Sequence, residues 1–279
     1  MLQAMLHHKL TRDEAQMEDL LTSNVFGLLK FVAQEDALLP WLRMSKDPQT
    51  TNTLEKWLVD VDCVAEWQFW PQMSESGCRF CEPDLLLKLR HHDGTQTWLL
   101  VEAKYLSGKS SFADEAAIEA NDQLAREFDN LRVASARENV SQFAVVFVTA
   151  DVTIPLADIQ ASIKEYESKR KLTPQILWLS WRYLSDVIAE SRSPILTDLR
   201  ELLNDLDLVM FRRLRLPERL KWHFGLTTHQ WKWNAFQLPV WQFVGIPTNR
   251  AQQLSSESSS NFDLELRISP SAIYRWRDK

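Results

Sequence analysis

Glu82-Pro83-Asp84 and Val101-Glu102-Ala103-Lys104-Tyr105 put two acids and a lysine at the ends of two apolar segments joined by His92-Asp93-Gly94. Carboxylates spaced this way suit a hard divalent cation, Mg²⁺ or Mn²⁺ before zinc, because their donors are oxygens. A lysine beside them suits a water held next to a phosphate, so the set points to hydrolysis of a phosphodiester. The plain alternative is that Asp84 caps a turn while Glu102 and Lys104 form a solvated pair on an exposed face.

The elements that carry these residues read as two strands. Leu85-Leu86-Leu87-Lys88-Leu89-Arg90 is apolar and then alternating, and Thr97-Trp98-Leu99-Leu100-Val101 is strongly β-prone. Asp93-Gly94 between them is a strong hairpin signal. Two registers are open. With Asp93-Gly94 as a two-residue loop, Asp84 faces Ala103 and Glu102 points to the other side. With His92-Asp93-Gly94 as a three-residue loop and Gly94 in the left-handed region, Asp84 faces Glu102, and Lys104 shares their face. Only the second register, or a compensating bulge, builds a site. Two facing carboxylates repel by roughly 0.2–1 kcal/mol in an exposed ladder, and a bound dication reverses that sign.

On these residues the chain resembles the PD-(D/E)xK nuclease superfamily, over residues 12–182. The resemblance implies an α/β fold, a restriction-endonuclease-like core of α-β-β-β-α-β order with a mixed sheet flanked by helices. It also implies roles. Asp84, Glu102 and the backbone carbonyl of Ala103 would bind metal, and Lys104 would position or activate water. Many family members add an acid from the first helix that completes the metal site. In some, a glutamine on the helix after the third strand orients the nucleophile or substrate.

Both additions have candidates. Residues 14–32 show helical spacing, with Leu21, Val25, Leu28 and Val32 in one stripe that Glu18 and Glu14 continue backwards. An acid in line with a buried stripe pairs or binds something, so Glu18 is the first choice and Glu14 the second. A first-turn carboxylate favoured by the helix dipole is the competing reading of Glu18. Residues 114–137 read as one long helix with Ala117, Ala120, Leu124, Phe128 and Leu131 inward. Gln123 falls beside that face and is the candidate for the glutamine role, although a surface glutamine is the preferred reading. Glu127 stands where one such subgroup carries an aromatic.

The remaining order fits an alternation of strands and helices. Residues 63–70 supply a first strand, Phe143–Thr149 a strand buried on both faces, residues 159–169 a helix and Ile176–Leu179 a last strand. Gly108-Lys109-Ser110 lacks the upstream glycine of a phosphate-binding loop. Lys109 could touch a phosphate only as any exposed lysine could. Cys78-Arg79-Phe80-Cys81 lacks a second ligand pair, so free thiols are expected over zinc.

Composition sets the frame. At 279 residues with 45% hydrophobic and 25% charged residues, the chain is of ordinary globular type. It shows no run near the roughly 20 apolar residues of a membrane span and no secretory start. Three cysteines suit a reducing, cytoplasmic setting. A net charge of −6 does not announce a nucleic-acid binder. Local basic stretches could still grip DNA, chiefly Arg212-Arg213-Leu214-Arg215 with nearby tryptophans, and then Lys169-Arg170-Lys171. Residues 184–208 read as a helical bridge.

The expected organisation is a nuclease-like core over residues 1–208 and a Trp-rich, β-rich accessory region over 209–279. The latter ends in an alternating strand at Phe262–Ile268. The expected activity is Mg²⁺- or Mn²⁺-dependent cleavage of DNA, as an endonuclease in phage defence or mobile-element processing. A homodimer, or a partner ATPase or sensor, would supply a second cut or control. The rival expectation is an inactive nuclease-fold subunit that binds DNA or protein.

Overall fold

The computed structural model describes residues 18–49, 54–114, 116–140 and 142–210, and two short paired strands further on, Val244–Gly245 and Tyr274–Arg275. Glu14, the stretch from Arg212 through the tryptophans, and Phe262–Ile268 lie outside the described residues. The chain divides into two compact units, Met1–Arg213 and Leu214–Lys279.

The first unit is an α/β fold with one five-stranded mixed sheet flanked by helices. In chain order it comprises α1 (Glu18–Leu29), α2 (Leu38–Arg43), α3 (Leu54–Trp57), β1 (Val61–Phe69), β2 (Leu85–His91), β3 (Gln96–Ala103) and α4 (Gln123–Arg137). These are followed by β4 (Gln142–Thr149), α5 (Leu156–Arg170), β5 (Ile176–Ser180), α6 (Trp181–Val187) and α7 (Pro194–Asp205). The strand order is β1-β2-β3-β4-β5, antiparallel up to β3 and parallel from there on. Strands β3, β4 and β5 are buried almost throughout, as the parallel half of a covered sheet must be. No helix among the described residues is long and apolar enough to cross a membrane.

The β2–β3 hairpin adopts the three-residue register. Leu85 faces Val101 and Arg90 faces Gln96, which carries the pairing on to His91 with Thr95 and Asp84 with Glu102. His91 N donates to Thr95 O at 2.9 Å, and Gly94 N donates to His91 O at 2.9 Å. Gly94 lies at φ +85°, and a Cβ there would meet nothing within 4 Å. The cost of a side chain is therefore purely that of the left-handed backbone, about 1 kcal/mol. Gly94→Ala is expected to lower stability by that amount in urea unfolding and to leave the register intact. A loss of several kcal/mol would mean that the turn carries more than its backbone.

The helices differ from sequence expectation in two places. The helix expected over residues 114–137 begins only at Gln123, because Asp122 caps it. The Asp122 carboxylate accepts from Leu124 N at 3.1 Å and Ala125 N at 3.4 Å. The preceding backbone is claimed by α5 instead. Glu165 accepts from the amides of Asp114, Asn121 and Asp122, and Lys169 donates to the carbonyls of Asp114, Ala117 and Glu119. The expected bridge over residues 184–208 is two helices. Pro194 opens the second, and the residue before a proline disfavours helical backbone. Leu196, Leu199, Leu202 and Leu203 are buried as their spacing implies.

Two packing groups hold the ends of the sheet. On α4, Phe128 meets Phe143 of β4 at 5.6 Å and Tyr166 of α5 edge-on at 5.1 Å. Phe26 of α1, Trp41 of α2 and Trp181 of α6 form a triangle of rings 5.4–5.7 Å apart, all fully buried. The indole N–H of Trp181 donates to the Lys104 carbonyl at 3.2 Å, which ties this aromatic cluster to the residue just past β3.

Candidate active site

Asp84 precedes β2 by one residue, and its two ends are held separately. Its carbonyl accepts from Trp70 N at 2.9 Å, and its Oδ2 accepts from Ala103 N at 2.8 Å. Trp70, just past β1, sits at φ +47°, a strained backbone for a bulky residue. Strain thus lies directly against the acid. Asp84 is 6% exposed. Burial, reinforced by the charge of Glu102, pushes its carboxyl up to about 7, while the Ala103 N–H and Lys104 pull the other way.

Glu102 lies opposite Asp84 and is buried. Its Oε1 accepts from Lys104 Nζ at 2.5 Å and from Gln123 Nε2 at 2.5 Å. Burial raises its pKa, and the lysine opposes that shift. Lys104 also donates to Glu18 Oε1 at 2.8 Å. Burial works against the ammonium, but Glu102 and Glu18 outweigh it and hold the lysine charged.

Glu18 reaches the site from the first turn of α1. Its Oε2 accepts from Tyr105 N at 3.1 Å and from Ser107 Oγ at 2.5 Å. Gln123 is buried rather than on the surface. Its Oε1 accepts from Ser110 N at 2.7 Å while its amide nitrogen serves Glu102. The structure therefore brings Asp84, Glu102, Lys104, Glu18 and Gln123 together, with Ala103 supplying the amide that holds Asp84.

Glu127 is the member that sequence reasoning did not single out. It lies one turn after Gln123 on α4, so both face the same way. It is 1% exposed, and its Oε2 has no hydrogen-bond partner. Burial and the neighbouring Glu102, with which it shares a hydrogen bond, hold its carboxyl well above the usual range. The i, i+4 spacing from Gln123 was the available signal.

Four carboxyl groups thus face one lysine. Among the described residues no three His, Cys, Asp or Glu side chains form a ready-made metal cage. Lys104 holds both Glu102 and Glu18. The donor set nevertheless fits a hard dication. All its side-chain donors are carboxylate oxygens, and one buried oxygen of Glu127 has nothing to bind. A cleft of about 220 Å³ opens beside Lys104, bordered by Tyr105, Ser107, Gly108, Phe147 and Thr149.

Lys109 corrects the sequence reading. It is buried, with Nζ 2.5 Å from Asp122 Oδ2, 2.9 Å from Asp158 O and 3.1 Å from Ser162 Oγ, so it cannot grip a phosphate. In the second basic stretch Lys169 and Arg170 are likewise committed. Lys169 pairs with Glu165, and Arg170 pairs with Asp129. All three cysteines are free. Burial pushes the Cys78 thiol up to about 12 and raises Cys81 as well, so neither is a reactive thiolate.

Comparison with family models, with curated proteins and with solved structures returned no match.

Proposed function

We propose that this protein is a metal-dependent nuclease of PD-(D/E)xK type that hydrolyses phosphodiester bonds in DNA. The observation that carries the reading is the convergence of Asp84, Glu102 and Lys104 at the end of the β2–β3 hairpin, in the one simple register that could join them. The strand and helix order, three antiparallel-linked strands followed by helix, parallel strand, helix and parallel strand, supports a restriction-endonuclease-like core.

Asp84 and Glu102 would hold Mg²⁺ or Mn²⁺ from facing strands, together with the backbone carbonyl of Ala103, the residue between Glu102 and Lys104. The ion supplies charge to neutralise the scissile phosphate and to acidify an attacking water. The protein's own groups do the rest. Lys104, kept protonated by Glu102 and Glu18, would offset charge that develops on the phosphate. Gln123 fixes the rotamer of Glu102 and ties it to the loop at Ser110. Burial excludes water, which strengthens each of these interactions.

The test is a supercoiled-plasmid nicking assay in Mg²⁺ with wild type, Asp84→Ala and Lys104→Ala. Relaxation of the plasmid by wild type alone is the expected result. Equal nicking by all three proteins overturns the proposal.

A further inference from the structure

Glu18 and Glu127 are the two remaining acids beside the Asp84–Glu102 pair, and they differ in what they already hold. Glu18 is saturated. One oxygen takes Lys104 Nζ, and the other takes the Tyr105 amide and the Ser107 hydroxyl. Glu127 shares one hydrogen bond with Glu102, and its Oε2 has no partner in a wholly buried position. Recruiting Glu18 to an ion would strand three donors. Recruiting Glu127 would satisfy an acceptor that the protein alone leaves empty.

The elements agree with that asymmetry. Asp84 comes from the start of β2, Glu102 from β3 and Glu127 from the helix that follows, next to Gln123, which already touches Glu102. Three carboxylates around a dication leave one negative charge, which Lys104 offsets.

We propose that Glu127 is the third carboxylate of a hard divalent-cation site, acting through Oε2, and that Glu18 serves Lys104 rather than the ion. The inference builds on the nuclease reading for what the ion does, but cation binding is tested without any substrate. Manganese titration of the full chain by calorimetry compares wild type, Glu127→Gln and Glu18→Gln, with the Mn²⁺-induced shift in melting temperature as a second readout. Gln is the size of Glu and can still donate to Glu102. Glu127→Met, which removes the polar atoms, provides a second variant should the amide disturb packing, and metal-free circular dichroism reports folding.

Loss of outer partners alone weakens metal affinity about 10–100-fold. Glu127→Gln and Glu127→Met are therefore expected to bind Mn²⁺ at least about 10-fold more weakly, with the melting shift abolished. Glu18→Gln, which reaches the site only through Lys104, is expected to weaken Mn²⁺ binding less than either Glu127 variant and to keep a melting shift. Wild-type affinity in both folded Glu127 variants overturns the proposal, and so does loss in Glu18→Gln alone. Expected Mn²⁺ binding in a wild-type protein that nicks no DNA removes the nuclease reading and leaves this assignment standing.

Discussion

Asp84→Asn is expected to lower cleavage by on the order of 10²–10³-fold or more while making the metal-free protein more stable above pH 7. The two effects have one cause. Asp84 is buried beside Glu102, and its carboxyl is pushed up to about 7, against about 3.9 in an unfolded chain. Below pH 4 both states carry the proton and the site costs nothing. Between pH 4 and 7 the unfolded chain ionises freely while the folded one holds its proton, so stability falls as pH rises. Above 7 the native state must bury the charge. A shift of about three pH units corresponds to about 4 kcal/mol at most.

The asparagine removes that penalty but also removes a charge that the proposed ion would need. Melting temperature measured from pH 4 to 9 should decline more steeply for wild type than for Asp84→Asn without metal. Added Mg²⁺ should recover much of the decline in wild type and nothing in the variant. A metal-free wild type whose melting temperature rises between pH 5 and 8 would refute the account.

The second large effect concerns Lys109 and Asp122, whose side chains are both fully buried. Removing one partner of a buried pair costs about 3–5 kcal/mol, because the other is left as an uncompensated charge. The two single variants are not equivalent. In Lys109→Met the Asp122 carboxylate still accepts from two amides at the start of α4. In Asp122→Ala the ammonium keeps only the Asp158 carbonyl and the Ser162 hydroxyl, and the helix loses its cap, worth about 1 kcal/mol more. Asp122→Ala should therefore unfold at clearly lower urea than Lys109→Met. The reverse order would show that the lysine, not the aspartate, anchors this junction. Since α4 carries Gln123 and Glu127, Asp122→Ala should also weaken the site, whereas a lysine gripping phosphate would have given reduced DNA affinity with unchanged stability.

The site is assembled from pieces of unequal reach. Asp84, Glu102 and Lys104 depend on one hairpin, and the pairing of its strands decides whether they meet. Glu18 and Gln123 arrive from helices, across 86 and 21 residues of chain. Their contacts fix the lysine and Glu102 in single arrangements, which is what the proposed phosphodiester hydrolysis would need.

The strands of the sheet were legible in the sequence because alternation and apolar runs are local properties, and so was the hairpin, since Asp93-Gly94 can turn the chain without neighbours. The identity of Asp84, Glu102 and Lys104 as a set could be read from type and spacing. Their convergence could not, because both loop lengths satisfy the local chemistry and only the ladder, with Gly94 left-handed, selects one. The start of α4 at Gln123, the burial of Lys109 and the empty oxygen of Glu127 were decided by tertiary structure alone. Each depends on what a distant element offers: Glu165 and Lys169 capture a backbone that would otherwise be helical, Asp122 draws a lysine inward, and the sheet closes over an acid. Local sequence states what a residue can do, and the packed environment sets the dielectric and the partners that determine which of those things it does.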